Sequence, residues 1–162
     1  MIRKIVSGGQ TGADRAALDW AIEHGIPHGG WCPAGRRAED GVIPARYRLQ
    51  ETPGHGYEQR TRWNVRDSDA TLVVSLSPEL AGGSLATRRW AEKMERPCLH
   101  IYPCDGWRER MAAFFEAMPV QILNVAGPRS SGAPGIERFV DEVLSTLILD
   151  TRVADKRQML AD

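Results

Sequence analysis

Apolar positions along the chain alternate between two periods. Ile2, Ile5 and Val6 form a short β-branched stretch, and Leu18, Ala21 and Ile22 then recur at helical spacing, predicting a strand and a helix over Arg15 to His24. Gly25-Ile26-Pro27 ends that helix, because Pro27 disfavours a helical Ile26 and glycine suits a helix terminus. His28 to Trp31 reads as a second strand and Tyr47 to Thr52 as a third, edge strand. A helix follows over Tyr57 to Arg66. The run Ala70 to Leu76 has the unbroken apolar character of a strand covered on both faces. Leu85 to Glu95, Trp107 to Met118 and about Pro134 to Leu149 are predicted helices, with strands at Pro97 to Tyr102 and Val120 to Val125 between them.

Strands alternating with helices imply right-handed crossovers and an α/β fold. The expectation is a doubly wound, mostly parallel six-stranded sheet in the order 3-2-1-4-5-6, with helices on both faces. Residues 1–149 form one domain and residues 150–162 a polar tail that frays or packs on a partner. Ligands of such sheets bind beyond the carboxyl ends of the strands, here at a switch point between the first and fourth. Four segments should converge there: Gly8 to Asp14, the loop Trp31 to Gly41, Ser75 to Thr87, and the turn Gly127 to Ser131.

Two of these are glycine turns leading into helices. Ser7-Gly8-Gly9-Gln10-Thr11-Gly12-Ala13-Asp14 matches neither the dinucleotide fingerprint nor the ATPase loop. Its glycines and the free amides of a helix start nevertheless favour an anion, as do Gly82, Gly83, Ser84 and Thr87. Gly9, Gln10, Thr11 and Gly12 would hold one anionic group by main-chain amides, with Gly8 also at the ligand, and Gly83, Ser84 and Thr87 a second. A tight turn with no ligand is the competing reading of either.

Composition sharpens this picture. The 162 residues carry 21 basic and 21 acidic side chains, so nothing global argues for a nucleic-acid or membrane surface. No signal-type segment or membrane-length apolar run is visible, and Cys32, Cys98 and Cys104 lack the spacing of a disulfide framework or zinc site. A cytoplasmic protein with reduced thiols is expected. Between Pro33 and Arg66, seven arginines face four acids in an otherwise neutral chain, and arginine forks suit phosphate. Arg36, Arg37 and Arg60 are the candidates to neutralise a ligand's charge. Tyr57, Arg60, Thr61 and Asn64 can share a helix face and grip a polar heterocycle, or simply hold the neighbouring loop. No catalytic triad emerges. Asp14, Glu39 and Asp40 lie in the right region for ligand binding or acid–base work, while helix capping accounts equally for Asp14.

Three stretches carry a family likeness: Ser7 to Asp14; Gly30-Trp31-Cys32-Pro33-Ala34-Gly35-Arg36-Arg37-Ala38-Glu39-Asp40-Gly41; and Tyr57 to Thr71. Together they resemble the molybdenum carrier family, also called molybdenum cofactor carrier proteins, from residue 3 to about residue 148. The resemblance implies a Rossmann-like fold and storage or transfer of the molybdopterin-based cofactor. It also implies a homo-oligomer, dimer or tetramer, with molybdoenzymes as partners. Whether metal is bound is left open.

That family is related to the lysine decarboxylase-like phosphoribohydrolases, which carry a P-G-G-x-G-T-x-x-E motif. The corresponding stretch here is Ala81 to Trp90. Its glycines align, but Arg89 stands at the position of the catalytic glutamate. The resulting expectation is a carrier of a phosphate-bearing pterin or nucleotide, plausibly molybdenum cofactor. An N-glycoside hydrolase acting on nucleotides and a nucleotide-sensing module are the alternatives.

Overall fold

The computed structural model describes residues 1–159, with side chains through residue 148. Its central sheet is entirely parallel and has five strands: β1 (Lys4–Val6), β2 (His28–Gly29), β7 (Ala70–Val74), β8 (Cys98–Ile101) and β9 (Ile122–Ala126), in the order β2-β1-β9-β7-β8. All five residues of β7 are buried, as its apolar run requires. Helix α5 (Ile136–Met159) packs along α1 (Ala13–Glu23) and against α4 (Trp107–Ala117) on one face. Helices α2 (Tyr57–Arg66) and α3 (Gly82–Lys93) pack together on the other. Helix α5 continues past Leu149 to Met159, so the boundary expected at residue 149 falls within a helix, and its last three expected tail residues lie outside the described residues.

Two expectations about the sheet are corrected. The third predicted strand is not part of it: β6 (Gln50–Glu51) pairs instead with β3 (Trp31–Cys32), and β4 (Arg37–Ala38) pairs with β5 (Gly41–Val42). The cause is Gly30, with φ 126°, which breaks the second predicted strand in two. His28 and Gly29 stay on β1, while Trp31 and Cys32 turn away and take the third strand with them. The order 3-2-1-4-5-6 is also wrong, because the last strand inserts between the first and fourth, pairing Leu123 with both Ile5 and Ala70.

If the chain is numbered from β7 and carried on through β1 and β2 as though its ends were joined, the order becomes 2-1-3-4-5, the second common doubly wound arrangement. The helix layers agree: the helices after the first and fifth strands of that numbering, α3 and α2, share one face. The switch point accordingly lies between β7 and β9, and β1 stands two strands, about 10 Å, from β7.

Candidate ligand site at the carboxyl edge

The loops after β1, β9 and β7 meet at the carboxyl edge of the sheet. Gly127 is required there, since a Cβ would lie 2.2 Å from the Val74 carbonyl oxygen and 2.6 Å from Ala13 Cβ. The buried Ser7 hydroxyl donates to the Val125 carbonyl at 2.6 Å and ties the first loop to β9.

The glycine turn after β1 is largely satisfied from within. The Gln10 amide donates to Asp14 Oδ2 at 3.2 Å, the Thr11 amide to Gln10 Oε1 at 3.1 Å, and the Ala13 amide to the Pro128 carbonyl at 3.1 Å. At Gly12 a Cβ would lie 2.5 Å from the Pro128 oxygen. The β9 loop therefore covers the start of α1, and two of the amides counted on for an anion, those of Gln10 and Thr11, are already spent. Asp14 is buried there; desolvation pushes its carboxyl above the usual range, against the opposing pull of Arg60, whose Nη1 sits 3.1 Å from Oδ2.

The turn before α3 is different. No side chain caps α3, and a Cβ built on Gly82 or Gly83 would meet nothing within 4 Å. This open helix start borders a cavity of about 610 Å³, whose walls include Tyr57, Glu58, Arg89, Trp90 and Lys93. Ser84 and Thr87 are buried behind it, and the Thr87 hydroxyl is turned back onto the Gly83 carbonyl at 2.8 Å. Tyr57 joins this cavity to two arginines: the Arg60 and Arg129 guanidinium carbons stand 5.5 and 5.6 Å from its ring centre. Arg60 lies flat against Gly8, where a Cβ would fall 1.8 Å from its Nη1, and its Nε is buried without a partner.

The other predicted residues fall elsewhere. Arg36 donates to the carbonyls of Ile43, Pro44 and Tyr47 at 3.1, 3.0 and 2.8 Å, so its guanidinium braces its own loop and is not offered to a ligand. Arg37 is exposed and reaches the His55 carbonyl. Asn64 is buried and grips both the amide and the carbonyl of Trp31, at 2.7 and 2.9 Å, fixing the broken strand to α2. Glu39 bonds to Thr11 and Ser131, and Asp40 pairs with Arg15.

Two side chains were missed. Arg129 has no partner nearby in sequence to mark it. His100 meets Ser75 just after β7, with Nε2 2.6 Å from Oγ. The register Val73 to His100 produces that contact and only strand pairing reveals it. Burial, with Arg88 and Arg110 nearby, holds the imidazole below its ordinary pKa and so neutral. Among the described residues, no group of three or more His, Cys, Asp or Glu is placed to hold a metal ion, and no helix is long and apolar enough to cross a membrane.

The order 2-1-3-4-5 hidden in this chain is that of a sheet whose sequence has been rotated, and residues 5–148 match the model of the circularly permutated YpsA SLOG family. The chain belongs to that family. A crystal structure of a "Putative molybdenum carrier protein" from Syntrophus aciditrophicus shares the fold with this SLOG protein, with a TM-score of 0.84. It is 46% identical over 90% of this chain and 94% of its own. None of the curated proteins matches the chain.

Proposed function

We propose that this SLOG-family protein is a carrier that binds a phosphate-bearing pterin or nucleotide, with molybdenum cofactor the leading candidate, a reading supported by the similar structure's name as a molybdenum carrier. The observation that carries the reading is the convergence of Arg60 and Arg129 on the Tyr57 ring beside the uncapped start of α3. A flat heterocycle can stack on Tyr57 or Trp90 in the 610 Å³ cavity, while the Gly83 and Ser84 amides, Arg89 and Lys93 receive its phosphate. The residues fit molybdenum cofactor through its pterin and phosphate. The metal would be held by the cofactor itself, and the site supplies binding, orientation and charge.

Hydrolysis is disfavoured by the same geometry. Arg89, at the position of the related hydrolases' glutamate, does line the cavity, with its charge reversed. Asp14, Glu39 and Asp40 are each engaged by donors of the chain. A homo-oligomeric, cytoplasmic protein that passes its ligand to molybdoenzymes is consistent with this reading.

The test is calorimetric titration with AMP and with molybdenum cofactor, repeated on Gly83→Asp. That variant has space for its side chain and an ordinary φ, so it should fold unchanged, while its carboxylate should weaken anion binding by about tenfold or more. Indifference of the unaltered protein to both ligands, or equal affinity of the variant, overturns the proposal. Release of free adenine from AMP, lost in Glu58→Gln, would replace the carrier with an enzyme.

A further inference from the structure

The segment from Pro33 to Pro44 crosses the edge of the sheet as a strap. Its base is rigid, because Arg36 clamps three carbonyls at 2.8 to 3.1 Å. Its tip is held by two adjacent carboxylates and by the Glu39 amide, which donates to Gln10 Oε1. Asp40 pairs with Arg15, Oδ1 lying 2.7 Å from Nη2. Glu39 is bound by a set of donors of the kind proteins present to anions. It accepts the Thr11 hydroxyl, the Ser131 hydroxyl at 2.6 Å and the Ser131 amide at 3.3 Å, with Arg129 Nη1 at 3.8 Å. The Ser130 amide donates to the Thr11 hydroxyl oxygen at 3.2 Å, orienting it toward the carboxylate. These hydrogen bonds hold the Glu39 carboxyl below its ordinary pKa, the two hydroxyls contributing most.

A second observation marks the same place. Gln10, 5% exposed, accepts the Glu39 amide on its Oε1 at 2.9 Å, yet its Nε2 is buried with no partner. A buried amide without an acceptor costs about 1–3 kcal/mol, so this donor is in want of an oxygen that the chain does not supply.

We propose that Thr11, Ser131 and Arg129 form an oxyanion site occupied by the chain's own Glu39, and that a ligand phosphate displaces this carboxylate and lifts the tip of the strap. The exchange replaces one anion by another on the same donors, so no charge is left unpaired. The freed Glu39 moves into solvent, and exposed carboxylate contacts of this kind are weak enough to exchange. The adjoining cavity, about 510 Å³, carries more acids than bases on its walls: Asp19, Glu23, Asp40, Glu137 and Asp141 against Arg15 and Arg46, which pair with Asp40 and Asp19. The excess of acids disfavours an anion deeper in the cavity and keeps it at the end lined by Thr11 and Ser130, which suits a compact terminal phosphate. Arg129 serves this site and the Tyr57 site alike, so arrival of the ligand at one is felt at the other.

The inference rests on the anion-binding reading above, and the experiment separates the two. Inorganic phosphate and AMP are titrated calorimetrically into the unaltered protein, Glu39→Gln, and Glu39→Gln with Ser131→Ala. Glu39→Gln should bind phosphate about tenfold more tightly than the unaltered protein, and Ser131→Ala should erase the gain. Equal or weaker binding by Glu39→Gln overturns the strap while AMP binding leaves the carrier reading standing; absence of binding by every protein to both probes overturns both.

Limited trypsin digestion of the unaltered protein supplies a readout independent of the variants' folding. Phosphate should speed cleavage at Arg37 several-fold, and protection of Arg37 by phosphate overturns the proposal.

Discussion

Asp14 accepts bonds from the Gln10 amide and from Arg60, and both members of the ion pair are largely withdrawn from water, at 4% and 13% side-chain exposure. Removing one partner of such a pair strands the other, which costs far more than the pair contributes. Asp14→Asn should therefore lower stability in urea unfolding by about 3–5 kcal/mol. Because Arg60 also covers Gly8, the same change should uncover the glycine and weaken AMP binding. An Asp14→Asn protein of unchanged stability would show that Asp14 is already uncharged in the fold. That Arg60 stands beside Tyr57 was legible from their helical spacing. Arg36 and Asn64 were not correctly placed, because their partners are main-chain groups of Tyr47 and Trp31, and sequence does not show where a carbonyl points.

At the scale of elements, the alternation of strand and helix from β7 onward was legible, since β7 is a fully buried strand and β8 and β9 are mostly apolar stretches set between turn residues. Strand order was not, because the apolar residues of a parallel strand do not say which neighbour it pairs with, and β2 is only His28 and Gly29. The two glycine turns also looked alike in sequence, and differ because the Pro128 to Ser130 backbone, Arg60 and the side chains of Gln10 and Asp14 close one of them. Gly30 shows how much one backbone position decides. A Cβ there would sit 2.3 Å from the Ser7 carbonyl oxygen, and φ is 126°. Gly30→Ala should cost about 3 kcal/mol, read from urea unfolding, and should shift the β2 to β3 junction against β1. A loss below about 1 kcal/mol would mean that Ser7 can yield.

Across the whole molecule, neutrality conceals a division. Helices α2 and α3 carry Arg60, Arg62, Arg66, Arg88, Arg89 and Lys93 against Glu58 and Glu92. On the other face, α1 and the described side chains of α5 carry Asp14, Asp19, Glu23, Glu137, Asp141 and Glu142 against Arg15 and Arg138. The sheet thus separates a basic layer from an acidic one, and the open start of α3 lies on the basic side, where an anion is drawn. Total composition could not reveal this, because it depends on which helices share a face.

The rotated strand order also bears on how the chain folds in time. β9 is the seam between β1 and β7, and the Ser7 to Val125 bond across it spans 118 positions. The pairs β1 with β2 and β7 with β8 can each form from nearby chain, but neither can join the other until β9 arrives. Contacts of such separation slow folding, since the loop must close before they form. Weakening the seam with Val125→Ala should slow refolding in stopped-flow measurements, whereas Leu99→Ala on the edge strand β8 should mainly hasten unfolding. If instead Val125→Ala only hastened unfolding, the seam would close after the rate-limiting step. In this chain, the strand made last is the one on which the other four depend.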